Sequence, residues 1–220
     1  VSEIGVIVGK EWRNFAGSER GVFVVYGALV LAWSLLVRNN ILNSSMLFTG
    51  MWWLSLSVLI SSTVANSVFV TERISGSMEI LLTCGFSRSA VLYGKVLFVV
   101  FVSVALGAVC SGLALVWSIG DNPALFLRGI LANADLYCGG AFLSATAGAW
   151  LSIRFSSPRI IPFVVLILVS GVCGAYLAVA QFTALPEWAL FLLTLAVGAG
   201  FLSLARKDFH GEKIIAPLDI

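Results

Sequence analysis

The chain has 220 residues, of which 60% are hydrophobic and 11% charged, with a formal net charge of +2 and a mean hydropathy of +1.03. A soluble domain carries roughly 25% charged residues, so this composition excludes one and predicts an all-α polytopic membrane protein. At about 20 residues per span there is room for six spans in a single transmembrane domain over 1–220, and any soluble chemistry is expected from another chain.

In chain order, residues 3–20 (EIGVIVGKEWRNFAGSER) set Ile4, Ile7, Val8, Trp12 and Phe15 at helical spacing, with Glu3, Lys10, Glu11, Arg13 and Glu19 mostly on other faces. This predicts an N-terminal interfacial amphipathic helix within 1–20. The first apolar core runs into a full span with no small-residue cleavage site, so the N-terminus is expected to be retained and cytoplasmic. Predicted spans follow at about 21–37, 48–70, 95–117, 127–152, 159–180 and 187–205, with 206–220 as a cytoplasmic tail. Asn39-Asn40, Gly120 to Pro123, Ser156 to Pro158 and Leu185 to Glu187 punctuate them as turns.

With both termini inside, Lys10, Arg13, Arg20, Arg73, Arg88, Lys95, Arg154, Arg159, Arg206, Lys207 and Lys213 fall on the cytoplasmic side of a cell (inner) membrane, and only Arg38 and Arg128 on the far side. That bias follows the positive-inside rule. Trp33, Trp52, Trp53, Trp117 and Trp188 are expected as anchors near the outer span ends. Gly107 with Ser111, Gly139 or Gly140 with Ser144, Gly148 with Ser152, and the Gly198 region are expected to bring helices close together. Cys84, Cys110, Cys138 and Cys173 contain no close pair, so neither disulfides nor structural zinc is expected. His210 is the only histidine, which leaves no metal site of ordinary kind, and no GxxxxGK[ST] phosphate loop is present.

A polar island, TERISGSMEILLTCGFSRSAVLYGK, separates the second and third predicted spans at 71–95. Gly76 and Ser77 break the chain, and Glu79-Ile80-Leu81-Leu82 then begins a short helix with its acid near the N-terminus, where the macrodipole favours it. Cys84-Gly85-Phe86 ends that helix. Ser87-Arg88-Ser89 leads into a second one that runs through Gly94-Lys95 into the next span.

The pattern ER-x-x-GS-x-E-x-LL, then SR, then GK, resembles the first cytoplasmic loop of ABC-2 type transporter permeases, which is close to ERE-x-GT-x-E-x-LL with a later P-x-SR and GK. This chain has Ile74 where a second acid is common, Ser77 for Thr, and Gly85 near the expected Pro. An amphipathic N-terminal stretch, six spans and a short basic tail are also what that family shows. The resemblance implies the membrane subunit of an ABC exporter, with no catalysis of its own. A separate ATP-binding subunit, in two copies, would hold ATP and Mg, and a second permease copy or paralogue would complete the pathway among membrane lipids. No nucleic acid is implied.

The same resemblance assigns ATPase coupling to Glu72, Arg73, Gly76, Ser77, Glu79, Leu81, Leu82 and Arg88, in a cytoplasmic helix at about 72–90. Arg154 and Arg159, in the second cytoplasmic loop, are candidates for a further ATPase contact or for a plain basic turn. Asp135 admits two readings. It either lines a translocation path or sits at the outer headgroups, if its helix begins later than drawn. The alternatives are an ATP-independent carrier or channel, which would need more embedded charges, an integral-membrane enzyme, which would need clustered Asp, His or Arg, and an ABC permease-like subunit acting on a partner protein.

Overall fold

A computed structural model of the chain describes residues 3–17, 20–43, 46–74, 76–118, 123–155, 160–180 and 188–209, and every element among them is helical. Helix α1 (Glu3–Ala16) precedes α2 (Arg20–Asn43) and α3 (Met46–Ala65), and α3 passes into a π-helical segment, Asn66–Thr71. The polar island forms α4 (Glu72–Ile74) and α5 (Ser77–Thr83) and then opens α6 (Arg88–Trp117). Next come α7 (Pro123–Ala132), α8 (Ala134–Arg154), α9 (Ile160–Ala180) and α10 (Trp188–Asp208).

Among the described residues, four stretches are long and apolar enough to cross a membrane: Trp52–Thr71, Arg88–Trp117, Ala134–Arg154 and Trp188–Asp208. Shorter apolar stretches, Val24–Leu36 and Ile160–Tyr176, lie within α2 and α9. Together they mark a membrane protein, since a helix satisfies its own backbone in lipid.

Helix α8 is the centre of the bundle because small residues let three neighbours approach it. A Cβ on Gly140 would strike the Ser57 hydroxyl of α3, and one on Gly139 the Thr194 hydroxyl of α10. A Cβ on Gly148 would come within 3.0 Å of the Ala65 Cβ, and one on Gly198 of α10 within 2.8 Å of the Phe142 ring. Ser61 and Ser144 bond across the α3–α8 seam, where hydroxyls have no water to turn to. Gly107 of α6 makes room for the ring of Tyr137, whose hydroxyl donates to the Ser103 carbonyl at 2.7 Å. These glycine spacings serve packing within the bundle.

The structure corrects four details of the sequence-based picture. The expected span 127–152 is divided, because α7 stops at Ala132 and α8 starts at Ala134. Asn133 sits at the break, and its side-chain amide donates to the Gly129 carbonyl at 2.8 Å, competing with continuation of the helix. Trp53 is buried edge-on against Tyr137, with ring centroids 6.0 Å apart, so it packs the core and does not anchor an outer interface. On α1 the inward face carries Ile7 and Glu11, while Trp12 is half exposed beside Phe101. Lys95, expected in the loop, is wholly enclosed two turns into α6.

Candidate functional site

Helix α1 lies along the first turns of α6. Gly94 permits that approach, since a Cβ there would come within 2.9 Å of Ile7 Cγ2. The helix is pinned at its start as well, where Glu3 Oε2 accepts from the Ser87 amide at 3.2 Å and the Ser87 hydroxyl at 2.6 Å. Those hydrogen bonds hold the Glu3 carboxyl below its usual value.

Two turns further along, α1 delivers Glu11 onto Lys95, whose Nζ donates to Glu11 Oε1 at 2.8 Å. It also donates to the Val68 carbonyl of the π segment at 3.1 Å and to Glu72 Oε2. Lys10 donates to the other Glu72 oxygen, and Asn14 Nδ2 reaches that oxygen at 3.3 Å. A buried ammonium is tolerated only when paired and hydrogen-bonded, and here two carboxylates and a carbonyl from three elements surround it. Burial alone would raise the Glu72 carboxyl, but Lys95 and Lys10 outweigh it and hold the group below its ordinary value. Beside this cluster is a cavity of about 340 Å³, lined by Glu11, Asn14, Tyr26, Thr71, Glu72 and Phe98 among others.

Arg73, the next residue, points the other way. Its Nη1 donates to the carbonyls of Ser152 at 2.8 Å and Ile153 at 3.2 Å, two of the C-terminal carbonyls that α8 leaves without partners inside its own helix. Arg154 follows immediately and is held by Asp208, with Nη2 at 2.9 Å and Nε at 3.0 Å from one carboxylate oxygen. That oxygen also accepts from Trp150 Nε1 at 3.2 Å, and the Arg154 guanidinium lies 4.7 Å from the Trp150 ring centroid. The stems of both predicted cytoplasmic loops therefore meet at one end of the bundle, with α1 and the end of α10.

Between its anchored stem and α6, α5 stands as a short outer helix. Gly76 and Gly85 bracket it with φ of 73° and 85°, left-handed angles that side chains with a Cβ adopt at a cost. Met78 is buried beneath it and Leu81 is half-buried against the core, whereas Ile80 is 62% exposed. Ser77 lines the cavity. Arg88 is the exposed first residue of α6. The side chains of Glu79 and Leu82, and the whole of Arg159, lie outside the described residues.

Of the predicted coupling residues, Glu72 and Arg73 thus face inward as tethers, while α5 carries the outward surface. Asp135 is in the first turn of α8, where its Oδ1 accepts the Leu136 amide at 2.8 Å. It stands about 30 Å from Arg154 along that helix. The helix that carries it begins at Ala134, later than the span drawn from the sequence. Lys10, Glu11, Asn14 and Lys95 are site residues that the sequence picture missed. A signal existed in Ile7, Glu11 and Phe15, which share one helical face and put an acid in an apolar stripe.

No protein-family model matches the chain, and no curated protein matches it.

Proposed function

We propose that the chain is the membrane-spanning permease subunit of an ATP-driven ABC transporter of the ABC-2 class, working as an exporter in a cell membrane. In this reading α2, α3 with its π segment, α6, α8, α9 and α10 are the six spans, α1 lies in the cytoplasmic interface, and α5 is the coupling helix. The observation that carries the proposal is α5 itself. It exposes Ile80 at an outer helix, while the stem before it is tied to α1 and α6 through Glu72 and to α8 through Arg73.

A docking element must present apolar surface to its partner and pass force onward without dissipating it. Exposed Ile80 supplies an apolar anchor of the kind that fills a pocket at an interface. The tethers on both sides of the stem mean that a push on α5 acts on two groups of helices. ATP with Mg, bound by two copies of a partner subunit, would bring those subunits together. The two coupling helices of a permease pair would then favour one access state of the spans over the other. Arg154, bonded to Asp208 and lying over the Trp150 ring, fixes the end of α8 near the same surface.

The test is affinity purification of the tagged chain from its native membrane in mild detergent, with ATPase activity assayed in the eluate. Wild type is expected to bring down an ATP-binding subunit and Ile80→Asp to lose it, at unchanged yield of the permease. A wild-type eluate free of ATPase would overturn the proposal and leave an ATP-independent carrier.

A further inference from the structure

We propose that the π segment Asn66–Thr71 is a register switch whose resting state is held by the buried Lys95. A π turn closes its hydrogen bonds one residue further along than an α turn, so it winds a surplus residue into the helix. Released into α geometry, that residue would turn everything after it by about 100° and advance it by about 1.5 Å. What comes after it is the stem Glu72–Ile74 and then α5.

Lys95 touches the segment at two points, since its Nζ takes the Val68 carbonyl inside the π turn at 3.1 Å and the carboxylate of Glu72 just beyond it. Both bonds require the present register. In the α register Thr71 would stand where Glu72 now meets Lys95, and Glu72 would stand where Arg73 now meets the carbonyls of Ser152 and Ile153. A carboxylate against carbonyl oxygens is repelled, so the switched state requires the end of α8 to separate from the stem. The π state is not wholly satisfied either, because the buried side-chain oxygen of Asn66 finds no hydrogen-bond partner among the described residues. The segment therefore has two registers, with the ion cluster selecting one of them and the end of α8 gating the other. This inference rests on helix geometry and does not depend on which partner docks on α5.

Nitroxide labels on the exposed Cys84 and on Ser203→Cys, with Cys138→Ala, report the position of α5 relative to α10 by pulsed electron resonance in vesicles. The wild type is expected to give one distance. Lys95→Met keeps the side-chain length but leaves Glu11 and Glu72 facing each other, and is expected to add a second, resolved distance. Deleting Ser67 in the Lys95→Met chain removes the surplus residue while leaving Glu72 in its present register, and is expected to restore the single wild-type distance. A Lys95→Met chain that keeps only the wild-type distance overturns the proposal, as does a second distance that survives the deletion. Should Lys95→Met fail to fold, Glu72→Gln in its place reads the same pair of outcomes.

Discussion

Glu72 shows how much one side chain can decide at this end of the molecule. Its carboxyl is held below the ordinary carboxylate value of 4.5, against the opposing effect of burial, by Lys95 and Lys10. A depressed folded value means that the unfolded chain takes up the proton first as pH falls. The stabilisation is therefore fully present above pH 4.5 and lost as pH drops through the folded value. Thermal unfolding of the detergent-solubilised chain is expected to show a midpoint that declines across that acid range. Glu72→Gln should flatten the decline and lower stability at pH 7 by about 1.5–3 kcal/mol, the worth of a charged hydrogen bond. An unchanged pH profile in Glu72→Gln would assign the acid sensitivity to another group. The cluster was hard to see in the sequence for a simple reason. Glu72 was legible as part of a motif, but its partners Lys10 and Lys95 come from opposite directions along the chain, 62 and 23 residues away, and no local pattern reports that pairing.

At the scale of elements, hydropathy located the long helices because burial in lipid imposes one rule on every residue of a span. The interruption at Asn133 obeyed a different rule, a side-chain amide bonding its own helix, and apolar content on both sides concealed it. The π segment was equally hidden, since Asn66 to Thr71 continue the apolar run and only hydrogen-bond geometry separates π from α. Glycine spacing was informative along α8, and its meaning there can be tested. Gly140→Val would drive its side chain into Ser57 and Leu54 and pry α3 from α8. Overpacking of this kind costs about 1–3 kcal/mol, so the unfolding midpoint should fall clearly below that of Gly112→Val. Gly112 is the matched comparison because a Cβ there meets nothing within 4 Å. Equal midpoints for the two variants would mean that the α3–α8 seam contributes little to stability. Gly76 belongs to a different class, since its φ of 73° disfavours any other residue whatever the space around it. Gly76→Ala is expected to cost about 1–2 kcal/mol. That cost should appear locally, as faster amide exchange in α5 while α6 and α8 keep their protection.

For the molecule as a whole, the tethers sort the positive charges by end. Glu3 on Ser87, Arg73 on the carbonyls of α8 and Arg154 on Asp208 gather the start of α1, both loop stems and the end of α10 at one pole. Lys10, Arg13, Arg73, Arg88, Arg154, Arg206 and Lys207 lie in those same segments. Arg38 and Arg128 belong to the segments flanking the opposite turns of the bundle. Positive charge concentrated at one pole orients a membrane protein with that pole in the cytoplasm, because moving those charges across the bilayer is opposed during insertion. Cys84, exposed at the end of α5, offers a direct measurement of this sidedness. A membrane-impermeant maleimide is expected to label Cys84 in inside-out vesicles and to leave it unmodified in intact cells, in a chain carrying Cys138→Ala. Adding Arg154→Glu and Arg73→Gln together should loosen the pole and speed labelling without moving it to the other side, since the remaining basic residues still set orientation. Labelling of Cys84 from outside intact cells would invert the molecule, and it would remove α5 from the reach of any ATP-binding subunit.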